Sequence, residues 1–258
     1  MMRLFCLALI SMLIFVACED DSPDDMNNPN NSDLGTLNIE ISPKFGDVDI
    51  TLNEPITMAD GTAFMLGNLY FYLSDVSISG AATSESLDEI VLIDLKDEEL
   101  KTYTKQVKAV DYSKIQFGFG VSSDLNHADP GTFEIDHPLS LSYGSNHWSW
   151  NNGYIFYKVE GQFDSDSDGE LDNVFLYHIG TDDFYNTFEL EKSFDVSADG
   201  ETTLTIEIDF EKIFYPNAQL QQEGAQLINK EEETVSHSTG SAYDIADKFV
   251  NNLKLSIE

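Results

Sequence analysis

Apolar residues that recur at every second position, between clusters of turn-forming residues, are the strongest constraint on how this chain can fold. Leu37, Ile39 and Ile41 alternate with polar neighbours, and so do Leu204, Ile206 and Ile208 within a run rich in threonine. Side chains on an extended strand point alternately to its two faces, so a period of two with β-branched and aromatic residues marks a strand with one buried face. Further strands are predicted over 69–78, 89–95, 115–121, 154–163, 174–179 and 187–196. Many short strands without strand–helix alternation predict an all-β fold, an antiparallel β-sandwich of two sheets. Two helical segments are expected beside it. From Ser241 the apolar Ala242, Ile245, Ala246, Phe249 and Leu253 recur at helical spacing, and Ser241 with Asp244 forms a capping box, which predicts a short C-terminal helix. Residues 209–214, closed by Pro216, form a shorter helical turn.

The N-terminus sets where such a fold is expected to reside. Met1-Met2-Arg3 is followed by an almost uncharged apolar stretch from Leu4 to Ala17, which stops at Cys18-Glu19-Asp20-Asp21. A basic residue, a short apolar run and small residues before a cysteine describe a secretory signal, and the run is too short to span a bilayer as a helix. Phe15-Val16-Ala17-Cys18 resembles the lipobox of bacterial lipoproteins. The expected organisation is a signal peptide over 1–17, a lipidated Cys18 opening an acidic, Asn- and Pro-rich tether over 18–34, and a single domain over 35–258. That charged tether has too little apolar surface to fold. The only contact with a membrane is then the lipid anchor. Acids directly after the cysteine resemble the signal that sends Bacteroidota-type lipoproteins to the outer face of the outer membrane; a merely acidic spacer is the other reading.

With Cys6 in the signal and Cys18 lipidated, the mature chain has no thiol for a disulfide, a cysteine metal site or thiol catalysis. The formal net charge of −34 excludes a nucleic-acid partner, because phosphate backbones require a basic footprint. The same charge attracts cations. No Gly-x-Ser-x-Gly elbow, His-Glu-x-x-His pair or phosphate loop is present, so the expectation is a binding protein and not an enzyme. Glu160, after a strand of aromatics, is the candidate for a buried acid with a raised pKa.

Two segments have the chemistry for ions. Residues 164–172 read Asp-Ser-Asp-Ser-Asp-Gly-Glu-Leu-Asp, which places acids at positions 1, 3, 5 and 9 around a glycine at position 6. Calcium takes six to eight oxygens, and alternating carboxylates with a turn-making glycine wrap a loop around one ion. Asp164, Asp166, Asp168 and Asp172 are the candidate calcium ligands, with the backbone carbonyl of Glu170 beside them. Position 12 is Phe175 and the flanks read as strands, so this is not an EF-hand; a solvated acidic hairpin turn is the competing reading. The second segment, 117–160, gathers His127, His137, His147 and both tryptophans, Trp148 and Trp150, with His178 following. Imidazole is the usual side-chain ligand for copper and zinc where thiols are absent. Histidines hydrogen-bonded in a polar core, and a Trp-x-Trp pair serving as core aromatics, are the alternative.

Phe71-Tyr72-Leu73-Ser74-Asp75-Val76, Phe119-Gly120-Val121, Leu125-Asn126-His127-Ala128-Asp129, Trp148-Ser149-Trp150-Asn151-Asn152-Gly153-Tyr154 running into Glu160-Gly161, and Tyr177-His178-Ile179-Gly180 together resemble the MbnP-like copper-binding family of exported bacterial proteins. The likeness spans most of residues 36–256. It implies a β-rich domain that binds copper through histidines for acquisition or handling of that metal. In some members a tryptophan oxidised to kynurenine by a partner dihaem enzyme assists. Carried over, His127 matches the Asn-His-x-Asp motif, His178 the later histidine, and Trp148 and Trp150 the paired aromatics beside the cofactor; His147 completes the candidate copper set. In kynurenine-assisted members the modified residue stands two positions before a histidine. Here Trp148 is followed at that spacing by Trp150, and Trp150 by Asn152. The reading from a different class is a cell-surface adhesion or ligand-binding module stabilised by calcium, without a transition metal.

Overall fold

Long alternating strands dominate the computed structural model, which describes residues 33–58, 61, 63–142, 146–148, 153–164, 166, 168–214, 235–236 and 255–257. The predicted signal segment, Cys18, residues 19–32 of the predicted tether, Trp150 and the predicted C-terminal helix lie outside the described residues, while Leu34, the predicted end of the tether, already opens the first strand. The chain divides into two units, Met1–Asn31 and Ser32–Glu258, and all described residues belong to the second.

One sheet is built on β1 (Leu34–Phe45), whose Leu37, Ile39 and Phe45 point into the core as the alternation requires. β11 (Glu201–Asp209) lies parallel to it, Ile39 opposite Leu204 and Ile41 opposite Ile206. β6 (Thr102–Lys108) and the short β2 (Val48–Asp49) run antiparallel on the other flank, and β13 (Leu255–Ile257) pairs with β11. The second sheet is built on β4 (Ala63–Ser79), hairpinned to β5 (Ser84–Asp94), with the short β3 (Ile56–Thr57) at its start. It also holds β7 (Asp111–Phe119), β8 (Tyr157–Phe163), β9 (Asn173–Ile179), β10 (Asn186–Asp195) and β12 (Val235–Ser236).

The fold is the expected all-β sandwich, with mixed sheets in place of purely antiparallel ones, because β1 pairs β11 and β9 pairs β12 in parallel. A parallel pair needs a long connection, and β1 and β11 have every strand of the second sheet but β12 between them in sequence. Aromatic rings join the layers: Phe64 on β4 lies 5.8 Å from Phe45 on β1 and 6.3 Å from Phe210. Phe210 opens α2 (Phe210–Phe214), the helical turn expected after Asp209. Within the second sheet Phe71 stacks on Phe119 at 4.8 Å and Phe64 on Phe175 at 5.5 Å. Burying each such ring contributes about 1.5–3 kcal/mol.

β4 is 17 residues long, and its pairing creates the feature that positions the site. β8 pairs with Phe64–Phe71 and β7 with Leu73–Ser79. β5 pairs with residues in both stretches, so β7 and β8 share the opposite flank of β4, end to end. The sheet forks there. At the fork Tyr72 donates its N–H to the Phe156 carbonyl (3.0 Å) and accepts from Gly120 N (2.8 Å). The crossover from residue 120 to 156 leaves and returns through this gap and folds back over the outer face of β4. Tyr72 and Tyr154 donate their hydroxyls to the carbonyls of Pro138 (3.1 Å) and Leu139 (2.7 Å). Residues 69–74 are therefore buried on both faces, which is why that stretch reads as continuous apolar sequence.

Candidate functional site

Three segments carry the candidate histidines, two of them in the crossover and the third on β9. α1 (Ser123–Asn126) is a single helical turn directly after β7, and His127 is its last cap. The His147–Tyr154 turn precedes β8, closed by an isolated bridge between those two residues and by a Trp148 N–H bond to Gly153 O of 2.9 Å. β9 carries His178 and ends in the tight turn at Gly180–Tyr185.

Asn126 ties these segments together. It is 2% exposed, accepts from Tyr154 N at 2.8 Å through Oδ1, and donates from Nδ2 to Asp182 Oδ1 at 2.7 Å. Both halves of a buried amide are thus satisfied. Gly153 permits the approach: its φ is +127°, and a Cβ there would lie 2.7 Å from the Asn126 oxygen. Gly180 permits another, since a Cβ there would meet the Tyr154 carbonyl oxygen at 2.1 Å.

Asp182 is the acid at this junction. Besides Asn126 it accepts from Ser123 Oγ (2.5 Å) and faces His127 Nε2 (3.0 Å) through Oδ2. Partial burial acts to raise its pKa, but hydrogen bonds from Ser123, Asn126 and His127 outweigh that and hold the carboxyl below its ordinary value. The residue before it, Thr181, has φ +134° and a buried hydroxyl with no hydrogen-bond partner. That backbone region is costly for a β-branched residue.

His178 lies on β9 opposite Lys158 of β8. Its Nε2 is 2.6 Å from Glu160 Oε1, and the other oxygen of Glu160 accepts from Asn68 Nδ2 at 3.1 Å. The expectation of a raised Glu160 pKa is overturned. Burial does push upward, yet the bonds from His178 and Asn68 prevail and the pKa is lowered. Lys158, directly across from His178, donates to Asn146 Oδ1 at 2.5 Å and sits 5.2 Å over the Tyr70 ring. Desolvation lowers its pKa. Burial pushes the Tyr154 hydroxyl up to about 12, so it remains a donor to Leu139 at neutral pH.

His147 is half-buried, edge-on to the Tyr154 ring at 5.0 Å, and its Nε2 receives a long bond from Gly153 N of 3.4 Å. His137 stacks on Phe133 at 4.3 Å and accepts from Leu139 N, so it serves the crossover as a structural residue. Trp148 is 4% exposed. The three-imidazole chelate of His127, His147 and His178 is not formed: among the described residues no group of three close ligands contains a histidine. Each ring is drawn instead to a different partner: His127 to Asp182, His178 to Glu160 on the neighbouring strand, and His147 to Tyr154 and Gly153. What the structure does provide is two imidazoles, His127 and His178, each held through Nε2 by a carboxylate, the arrangement in which metal-binding histidines are commonly oriented. This donor chemistry fits a nitrogen-preferring ion such as copper.

The acidic loop is a separate place. Asp164, Asp166 and Asp168 bring ligand oxygens within 4.8 Å of one another. Asp164 is fully buried and accepts from Asp168 N (3.2 Å) and Gly169 N (2.8 Å), with Gly169 at φ +91°. Asp172, expected as a fourth ligand, is exposed and outside that group, since the chain has already turned toward β9. Sequence reasoning missed Asp182 and Asn68 as site residues and did not assign Asn126 a role of its own.

A search of curated proteins finds no match. MbnP from Methylosinus trichosporium is a similar solved structure, with a TM-score of 0.47 and 14% sequence identity over 70% of this chain and 78% of that one. The family model MbnP matches residues 34–236, most of the sequence and nearly all of the described strands, and on that match the chain belongs to the MbnP family.

Proposed function

We propose that this protein is an envelope lipoprotein that binds copper for its acquisition or handling, without catalysing a reaction. The observation that carries the reading is the family match over residues 34–236. The two carboxylate-held imidazoles support it, because they are the nitrogen donors a thiol-free chain would use for such an ion. His127 and His178 are the residues that would hold the metal, which when bound would supply a cargo for transfer. Trp148 lies in the His147–Tyr154 turn that Asn126 joins to His127. The dihaem enzyme associated with some family members is the proposed partner, and Cys18 the proposed lipid attachment on the outer membrane.

The test is metal analysis and intact mass of protein purified from its native envelope. One equivalent of copper, lost in His178→Ala, is the expected result; retention of copper by that variant removes His178 from the site. Lipidation is tested by incorporation of labelled fatty acid, expected to vanish in Cys18→Ala.

A second reading, a surface adhesion or ligand-binding module stabilised by calcium, is favoured by the Asp164, Asp166 and Asp168 grouping. On that reading calcium raises the melting temperature, Asp168→Ala abolishes the rise, and the purified protein holds calcium but no copper.

A further inference from the structure

We propose that Asp182 is the positioning residue for His127, holding the ring through Nε2–H and so committing Nδ1 as the atom offered to the metal; this deepens the copper reading and rests on it. An ionised carboxylate can only accept, so its neighbours must all donate: Asn126 Nδ2 to Oδ1, and Ser123 Oγ and His127 Nε2 to Oδ2. A neutral imidazole has one N–H. With that proton on Nε2, the lone pair is on Nδ1, which has no hydrogen-bond partner among the described residues, on a side chain 59% exposed. Nε2 of His178 likewise faces Glu160, so both histidines present the same edge to their carboxylates. Asp182 is not placed there cheaply. Thr181 holds φ +134° with its buried hydroxyl unpartnered, and the turn that aims Asp182 persists despite this. Backbone strain retained beside a constellation of polar side chains is a signature of a site whose geometry matters.

Asp182→Asn separates this role from simple tethering. The amide has one acceptor and one donor end. Asn126 presents an N–H to Oδ1, and it cannot turn over because its own oxygen is taken by Tyr154 N. The new oxygen must therefore face Asn126, and the new NH2 must face Ser123 and His127. Ser123 can reverse its hydroxyl and accept. His127 can accept only as the Nδ1–H tautomer, which turns the metal-facing atom into a donor.

The experiment is long-range 1H–15N correlation of the His127 ring in metal-free, 15N-labelled protein, with Cu(I) affinity measured by competition with a coloured chelator. The expected result is Nε2–H in the wild type, Nδ1–H in Asp182→Asn, and a Cu(I) affinity lower by about 10–100-fold in a variant that remains folded with a lowered melting temperature. An Nδ1–H wild type, or a variant that keeps Nε2–H, overturns the proposal. If Asp182→Asn does not fold, the wild-type spectrum alone decides between these outcomes. Failure of both proteins to bind Cu(I) sinks the copper reading, while the spectra still judge what Asp182 does to the ring.

Discussion

Replacing Asn126 with leucine, which is close to it in volume, removes the junction without opening a large cavity. Two interactions disappear. The Tyr154 N–H loses its acceptor at 2.8 Å and is left buried, at a cost of about 1–3 kcal/mol. The bond from Nδ2 to the Asp182 carboxylate at 2.7 Å is charge-assisted and contributes about 1.5–3 kcal/mol. Together they predict a destabilisation of about 2.5–6 kcal/mol. For a domain of this size each kcal/mol moves the melting temperature by about 2–4 °C, so calorimetry should show a fall of about 5–24 °C. Hydrogen exchange locates the effect: the Tyr154 amide is expected to be protected in the wild type and to lose protection in the variant. Asn126→Asp sharpens the reasoning. It keeps an acceptor for Tyr154 but sets a second carboxylate against Asp182, so the new group has a raised pKa and the variant regains stability as the pH falls from about 7 toward 4.5. A loss under about 1 kcal/mol in Asn126→Leu with an unchanged Tyr154 amide would refute the keystone role.

Three other outcomes follow from the same geometry. Gly180→Ala forces a Cβ to within 2.1 Å of the Tyr154 carbonyl oxygen and should unfold the domain or lower its stability by about 3 kcal/mol or more, whereas Gly169→Ala meets no atom within 4 Å and should cost only about 1–3 kcal/mol of backbone strain; equal urea midpoints for the two would contradict this. Thr181→Gly relieves the strained φ and removes an unpartnered hydroxyl, so its unfolding free energy should rise by about 1 kcal/mol, and a fall would show that Thr181 is not strained. Glu160 has a folded pKa below its ordinary 4.5, so its stabilisation is present above that value and disappears as the pH drops through the folded pKa. The stability difference between wild type and Glu160→Gln should hold from pH 7 to 5 and collapse below about pH 4.5; a difference that vanishes already at pH 6 speaks against the paired carboxylate.

The strands that carry the core were legible because alternation survives wherever one face is wet, as in β1 and β11. β6 was missed: its two core residues, Tyr103 and Val107, are separated by threonine, lysine and glutamine, too few apolar positions to stand out. The fork in the second sheet was not legible either, since nothing local in β4 says that two strands divide one flank. For the site, His127, His178 and Glu160 were visible in the sequence, but Asp182 was not, and nothing there joined Glu160 to His178. In a chain with 47 acidic residues no single aspartate or glutamate is distinguished by its type. Asp182 lies 56 residues from Asn126 and acquires its meaning only when the crossover folds back. The three-histidine chelate failed for the complementary reason: closeness in sequence put His147 beside the right segment, while its ring packs on its own turn.

Both roots of the crossover are fastened to the main chain of one residue, Tyr72, in the middle of the longest strand. The sandwich therefore treats the whole excursion as a loop with a closed neck, and the free energy of lengthening such a loop grows only with the logarithm of its length. Histidines, aromatics and turns beyond that neck can therefore be exchanged at little cost to the register of the strands beneath.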